Sequence, residues 1–283
     1  MIERIYIEIG NICNLDCSFC PKLKRQKRQM SISEFRTVAK KISGHTKYAY
    51  LHVMGEPLLH KNLGEFLDIL NEYGIRAAIT TNGTLLMQKK DVLLGAENLH
   101  KVSISLHAPE ANEKSIDKSE YLSSCINFAR LAASKGVFVV FRLWNLDSEE
   151  GLGKNSDNKF IEDFLRKEFF EEWQKRRSGF RLSKNIFLEY DGLFTWPVES
   201  TAEENAVGYC HAIKDQLAIL ADGTVTPCCL DSEGEIPLGN IFTEGLDEIM
   251  TSERTVIMKK GFERRMLTEP LCKKCTYIKR FDR

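Results

Sequence analysis

Apolar and polar positions alternate along the chain in two periods, which predict strands and helices in turn. Six segments have the strand pattern of apolar and β-branched residues, namely IERIYIEI, YAYLHV, IRAAITT, HKVSISLH, VFVVFRLW and IFLEY. Segments with helical spacing lie between them, including 33–42, LGEFLDILNEYG, 121–135 and the charged segment 160–177. Strands separated by helices predict a parallel sheet with right-handed crossovers.

The order of these elements predicts an α/β fold, a partial (β/α)6 TIM-like barrel. Eight units usually close such a barrel, so six leave one side open. After Trp196 the alternation stops, and residues 210–283 contain five of the nine cysteines, the turn ADGTVTPCC and one helix at 246–258. We therefore expect a barrel domain over residues 1–200 and a small cysteine-rich, metal-binding domain over residues 201–283.

Composition narrows the location and the partners. The chain has 283 residues, 43% of them apolar, and its 40 basic and 40 acidic side chains cancel, so we expect no stable nucleic-acid binding. No window approaches the about 18 apolar residues of a membrane span, and MIERIYIEIG is too short and too charged for a signal peptide. The sequence predicts a cytoplasmic protein without a membrane partner, in which clustered thiols are metal ligands or redox groups rather than disulfides.

The first cysteines follow the first predicted strand directly. Cys13, Cys17 and Cys20 form a C-x3-C-x2-C motif. Active sites of barrel folds lie at this end of the strands, so the position favours chemistry. A four-iron cluster needs one ligand per iron, and three thiolates leave one iron open to another molecule. Zinc is the alternative, but it needs a fourth ligand, and none stands nearby in the sequence.

With Phe19 before the last cysteine, this motif resembles that of the radical S-adenosylmethionine superfamily, and the resemblance covers nearly the whole chain. The resemblance implies that the open iron of a [4Fe-4S] cluster binds the amino and carboxylate groups of S-adenosylmethionine. One electron from the cluster would then release a 5'-deoxyadenosyl radical. Phe19 would lie against the adenine. An electron donor of the flavodoxin or ferredoxin type is implied as a partner.

Other strand ends carry groups that the resemblance assigns to the cofactor. HVMGEP looks like the family's Gly-Gly-Glu-Pro motif with Met54 in place of the first glycine, so Gly55 and Glu56 would help to hold the cofactor's ammonium group. Arg142 suits the cofactor's carboxylate because its planar guanidinium can donate two hydrogen bonds at once. Ser105 is the preferred ribose or carboxylate contact. Further polar groups at the same rim are Thr81, Asn82 and Ser103.

For several residues the sequence does not decide between a role in the active site and a role in ordinary packing or solvation. The family's adenine-binding G-x-I-x-G-x-x-E motif is not visible, so Leu143 and Trp144 could contact either adenine or substrate. His52, His107 and His211 fit a catalytic role or a plain polar one.

A second group of cysteines lies in the last part of the chain. They form C-x12-G-x4-C, with Gly223 inside the motif, and a later C-x-x-C; the four thiolates are Cys210, Cys228, Cys272 and Cys275. The arrangement resembles a shortened SPASM domain, also called twitch, and implies a second, auxiliary [4Fe-4S] cluster that relays electrons or serves as scaffolding. Two cysteine pairs also match a zinc ribbon, so zinc remains the alternative occupant. Cys229 is an alternative ligand, and Cys125 is interpreted as a buried apolar residue.

Two basic groups flank the predicted barrel. The run KLKRQKRQ, which follows the first cysteines, could receive a phosphate or a redox partner, or could be a solvated face. The second basic group precedes the sixth strand and comprises Lys175, Arg176, Arg177, Arg181 and Lys184. The segment IFLEYDGLFTWP would bring a carboxylate and an aromatic ring to the open side to hold a planar polar substrate, through Glu189, Tyr190, Asp191 and Trp196.

These features favour an enzyme that acts on a small nucleoside-like or phosphorylated molecule. The specific candidate is a queuine lyase, which would release queuine from queuosine 5'-phosphate. A peptide or protein maturase is the first alternative, although maturases often carry a peptide-binding domain before the barrel and only about a dozen residues precede Cys13. An RNA-modifying enzyme is the second alternative. A non-catalytic cluster protein would leave Glu56, Asn82 and Arg142 without a purpose.

Overall fold

The elements follow the predicted alternation of strands and helices. The computed structural model describes residues 1–110, 112, 116–146, 156–192, 194–200 and 202–281. The strands are β1 (Arg4–Ile7), β2 (Tyr48–Tyr50), β3 (Arg76–Thr81), β4 (Leu99–Ser105), β5 (Phe138–Leu146), β6 (Gln174–Arg176), β7 (Gly179–Ser183), β8 (Ile186–Gly192), β9 (Gln216–Ile219), β10 (Thr224–Thr226) and β11 (Gly239–Asn240). The helices are α1 (Ile32–Ile42), α2 (Leu63–Glu72), α3 (Leu86–Gly95), α4 (Lys118–Ser134), α5 (Ser156–Glu168), α6 (Leu246–Thr251), α7 (Glu253–Glu263) and α8 (Pro270–Lys273).

The strands form one sheet in the order β11, β10, β9, β1, β2, β3, β4, β5, β8, β7, β6. The six predicted strands, β1 to β5 and β8, are parallel to one another. Antiparallel pairs finish the sheet at both ends, and within the described residues its two edges do not pair with each other. The prediction of an open, partial (β/α)6 barrel is therefore confirmed.

The last part of the chain continues the same sheet. β9 lies parallel to β1, with Leu217 opposite Ile5, and β10 and β11 follow it. The segment around the later cysteines is thereby held against the first strand of the barrel. The sequence does not predict this pairing, since a strand as short as Gln216–Ile219 carries no sign of its partner. The domain boundary at residue 200 stays a prediction.

The helices α1 and α2 each bury an apolar face. α1 begins with a capping box in which Ser31 and Glu34 satisfy each other's backbone amides, and it buries Phe35 and Val38. The ring of Phe35 stacks on that of Phe66 in α2, with centroids 4.1 Å apart. Among the described residues, no helix is both long enough and apolar enough to cross a bilayer.

Two predicted helices are wrong in their bounds. The helix expected over 160–177 ends at Glu168, and 174–176 form an exposed edge strand that pairs with β7. A run of charged residues is solvated both as a helix and as an edge strand. Pairing with β7 therefore decides that 174–176 form a strand. The helix expected over 246–258 is divided between α6 and α7, because Ser252 is extended and its side chain caps the amide of Thr255.

Candidate active site

One cavity of about 690 Å³ reaches both groups of cysteines. Its walls include the inner faces and carboxyl ends of the parallel strands, where barrel active sites lie. Most of the predicted site residues face it: Cys13, Cys17, Phe19, Cys20, Gly55, Glu56, Asn82, Ser103, Ser105, Arg142, Cys210, Cys228, Cys272 and Cys275. The sequence-predicted cofactor and cluster residues are thus brought to one place. Met54 is buried beside the turn and is not among the residues that line the cavity.

Amide groups surround the sulfur atoms of the first cysteine loop. The side-chain amide of Asn112 donates to Cys17 Sγ at 3.1 Å, and the backbone amide of Leu15 donates to Cys13 Sγ at 3.4 Å. A hydrogen bond from the Cys20 thiol, assisted by that from Asn112, lowers the pKa of Cys17 to about 7 despite burial. Thiolate, the form in which cysteine binds iron, is therefore favoured at Cys17, whereas burial raises the pKa of Cys13 and the hydrogen bond with Cys17 raises that of Cys20. Nothing in the sequence pointed to Asn112.

The HVMGEP turn packs directly on the cysteine loop. Gly55 has φ +78°, and a Cβ there would lie 2.5 Å from the carbonyl oxygen of Gly10. The next amide, that of Glu56, donates to the carbonyl of Ile12 at 2.9 Å. The turn therefore needs glycine at residue 55 both for its backbone conformation and for this close approach.

Glu56 is buried and fully engaged by protein groups. One carboxylate oxygen accepts from Thr81 Oγ1 at 2.8 Å and from the amide of Leu58 at 2.9 Å, and the other accepts from the amide of Asn82 at 2.8 Å. Burial raises its pKa, and these three donors oppose that rise. Glu56 thus ties the end of β3 to the turn after β2, which fixes the rim of the cavity.

Asn82 and Ser105 are held in place by Tyr121, which belongs to no sequence motif. The hydroxyl of Tyr121, on α4, donates to the carbonyl of Asn82 at 2.8 Å and to that of Ser105 at 3.1 Å. Asn82 in turn donates from Nδ2 to Asn14 at 2.9 Å, and this nitrogen lies 3.8 Å from Cys13 Sγ. The ends of β3 and β4 are therefore linked to each other and to the first cysteine loop.

The guanidinium of Arg142 contacts an aromatic ring, but its Nε lacks a hydrogen-bond partner among the described residues. Its guanidinium carbon lies 3.3 Å from the ring centroid of Trp144, and its Nε has no hydrogen-bond partner in the described part of the chain. Burial lowers its pKa, an effect that Glu189 opposes. Glu189 is its register neighbour on β8. An orphaned guanidinium nitrogen beside an open cavity is the donor that a bound carboxylate needs.

The Phe19 ring lies against the ring of His107, with centroids 4.9 Å apart, and Trp196 Nε1 donates to the carbonyl of Phe19 at 3.1 Å. Burial lowers the pKa of His107 to about 4, so this imidazole is neutral near pH 7. Of the other residues expected at the open side, Glu189 lines the cavity, whereas Asp191 pairs with Arg280.

Cys229, like Cys228, lines the cavity. Its thiol accepts a hydrogen bond from Tyr6 on β1, while burial raises its pKa to about 11. Burial also raises the pKa of Cys228, and the thiols of Cys229, Cys210 and Cys272 add to that rise. Because Tyr6 engages the Cys229 thiol, Cys228 stays the predicted fourth ligand. Among the described residues, no three His, Cys, Asp or Glu side chains are close enough together for a single ion, so the fit to an auxiliary cluster rests on four thiols around one cavity.

The arginines of the basic run after the first cysteines are held by ion pairs within the protein. Arg25 donates to both oxygens of the buried Glu8 at 2.7 and 3.0 Å, and its Nε donates to the carbonyl of Ser232 at 2.7 Å. Arg28 pairs with Glu34. The expected phosphate or partner site is therefore reduced to exposed lysines. The second basic group lies on or beside the β6–β7 hairpin, at the far edge of the sheet, and is not among the cavity's lining residues.

Two family models match this chain. The family model of the radical SAM superfamily matches residues 7–149, and that of SPASM, an iron-sulfur cluster-binding domain, matches residues 210–276. This chain belongs to the radical SAM superfamily. It is accordingly an enzyme whose cofactors are a [4Fe-4S] cluster with S-adenosylmethionine and an auxiliary iron-sulfur cluster in the SPASM region.

Three relatives show the range of this family. The antilisterial bacteriocin subtilosin biosynthesis protein AlbA of Bacillus subtilis is 24% identical over 268 residues, which cover 87% of this chain and 58% of AlbA. The S-adenosyl-L-methionine-dependent 2-deoxy-scyllo-inosamine dehydrogenase of Niallia circulans is 30% identical over 38% of this chain and 46% of its own length. The chain thus spans about half the length of these two relatives. The crystal structure of BtrN in complex with AdoMet and 2-DOIA matches the fold with a TM-score of 0.53 at 17% identity, over 94% of this chain and 88% of that one.

Proposed function

We propose that this enzyme removes a hydrogen atom from a small nucleoside-like or nucleotide-like substrate bound in the cavity. The observation that carries the proposal is the cavity itself, about 690 Å³ in volume and bounded by the cysteines of both cluster sites. Because S-adenosylmethionine and the clusters would share this volume, the room that remains for a substrate is smaller and suits a small molecule. The similarity to a dehydrogenase whose name gives a small cyclic substrate supports the same class.

Each part of the cavity has a proposed role. Cys13, Cys17 and Cys20 would hold the first cluster, and the second would be held by Cys210, Cys228, Cys272 and Cys275. When bound, the first cluster and S-adenosylmethionine supply a 5'-deoxyadenosyl radical that takes the hydrogen atom. Arg142 would bind the cofactor's carboxylate and Phe19 would lie along its adenine, while Ser103 and Ser105 offer hydroxyl groups to the ribose.

In its most specific form, the proposed substrate is queuosine 5'-phosphate and the product is queuine. Loss of a hydrogen atom from the ribose would be followed by cleavage of the glycosidic bond. The test is anaerobic turnover of queuosine 5'-phosphate and of unphosphorylated queuosine with a flavodoxin or chemical reductant, with queuine and 5'-deoxyadenosine measured by mass spectrometry. We expect queuine from the phosphorylated substrate. Release from neither compound would exclude this substrate.

Peptide modification is a second candidate, because the similarity to AlbA extends over 87% of this chain. A peptide substrate would have to enter the cavity as an extended segment. The same assay with a panel of cysteine-containing peptides distinguishes the two candidates. Substrate-dependent 5'-deoxyadenosine with a peptide, and none with the nucleotide, would favour the maturase.

A further inference from the structure

The inner wall of the cavity carries charged side chains along the strands themselves, in addition to those at the strand ends. Lys101 lies near the start of β4, and Arg142 on β5 is the register neighbour of Glu189 on β8. All three line the cavity. The interior of a barrel of this type is usually filled by bulky apolar residues, so charged groups at these positions point to a bound polar group.

These charges are not neutralised by one another. Within the described residues, neither Lys101 nor Arg142 forms an ion pair with a carboxylate. Arg142 Nε and the Nδ1 of His52, also on the wall, have no hydrogen-bond partner there either. Lys101 and Arg142 are half-buried, and charges drawn partly out of water are ordinarily paired. The cofactor's carboxylate would satisfy Arg142, and a second ligand with negative charge would satisfy Lys101.

The charged groups around Lys101 leave it short of negative charge, as expected for a site whose bound anion is absent. Its pKa is lowered chiefly by burial; Glu189 opposes that effect, whereas Arg142 and Arg4 add to it. Burial, with Arg142 and Lys101 nearby, lowers the pKa of His52 to about 3, so this residue brings no further charge. Bound S-adenosylmethionine has one carboxylate, which the cofactor site assigns to Arg142, so the cofactor leaves Lys101 without an anionic partner.

We propose that Lys101 binds a phosphate group of the substrate, and that Glu189 accepts a hydrogen bond from a neighbouring substrate hydroxyl. Arg142 is left for the carboxylate of the cofactor. This assignment rests on the proposed function, because it names the substrate class of the same cavity as phosphorylated. It also gives Glu189 a reason to lie beyond ion-pair distance of Lys101, since the substrate would occupy the space between them.

The experiment measures binding without turnover. Reconstituted enzyme with S-adenosylmethionine and no reductant is titrated anaerobically with queuosine 5'-phosphate and with queuosine in a calorimeter. A charge-assisted hydrogen bond to phosphate predicts a preference of about 10- to 100-fold for the phosphorylated compound. Lys101→Met should abolish that preference by weakening only the phosphorylated ligand, and Lys101→Arg should keep most of it. Lys61→Met, which changes an exposed lysine, is the matched control.

A second probe separates the anion site from the substrate assignment. Inorganic phosphate is titrated into the same proteins and followed by 31P line width. If neither nucleoside binds but phosphate binds in a Lys101-dependent manner, the substrate assignment fails and the phosphate site stands. Equal phosphate binding by the wild type and Lys101→Met overturns the site. Glu189→Gln provides an independent check if Lys101→Met does not fold: it should tighten phosphate binding by removing a repelling carboxylate, and weaker or unchanged binding contradicts the proposal.

Discussion

Replacement of Arg25 by Met should destabilise the loop that carries the first three cysteines. Arg25 binds both oxygens of Glu8, whose side chain is fully buried, and also donates to the carbonyl of Ser232. In Arg25→Met, Glu8 keeps the backbone amide of Ala221 as a donor at 3.0 Å but loses its charged partner. Removal of one member of a buried ion pair costs about 3–5 kcal/mol, whereas Met retains the apolar stem of the side chain.

Anaerobic denaturant unfolding of the reconstituted enzyme measures this loss, and iron analysis shows whether the loosened loop also releases its cluster. Lys24→Met is the matched control, because Lys24 is an exposed neighbour whose substitution should change the free energy of unfolding by less than about 0.5 kcal/mol. The double variant Glu8→Leu, Arg25→Met should recover most of the stability, since no buried charge is left unpaired. A loss under about 1 kcal/mol for Arg25→Met, or a double variant as unstable as the single one, would refute this reasoning.

Three further substitutions test the site. Gly55→Ala should lose the iron of the first cluster, because φ +78° and a contact of 2.5 Å leave no room for a methyl group. The control Gly64→Ala, whose Cβ would meet its neighbour at 3.5 Å, should keep all its iron. Equal iron contents in the two variants would contradict this prediction. Cys228→Ala should lose about half of the iron and Cys229→Ala none, and the opposite result in iron analysis would reassign the fourth ligand. Arg142→Ala should weaken S-adenosylmethionine binding by about 2 kcal/mol in equilibrium dialysis with full iron content, and unaltered affinity would remove Arg142 from the cofactor site.

The sequence was most informative where a strand ends, because parallel strands deliver their carboxyl ends to one rim whatever the details of packing. For this reason Glu56, Asn82 and Ser105 could be assigned to one cavity before their contacts were known. Asn112 and Tyr121 could not, because each acts on a residue distant in sequence through a loop or helix whose position the pattern does not specify.

The charged segments were the least predictable. A basic run has the same sequence pattern whether its side chains face water or pair with a buried acid. Arg25 has a structural role only because it pairs with Glu8. In the same way, residues 174–176 are a strand because β7 lies beside them. The local sequence propensity does not predict that neighbour. Long-range partners, rather than local preference, decide both cases.

The most direct test of the radical assignment is the formation of 5'-deoxyadenosine. Iron-replete enzyme, reduced anaerobically and supplied with S-adenosylmethionine, should produce 5'-deoxyadenosine and methionine in equal amounts, measured by liquid chromatography. The variant with Cys13, Cys17 and Cys20 all changed to Ala should hold only the auxiliary cluster, about half of the iron, and produce none. An iron-replete wild type that forms no 5'-deoxyadenosine, or a triple variant that forms as much as the wild type, would contradict the assignment of the first cysteine loop as the site of cofactor cleavage.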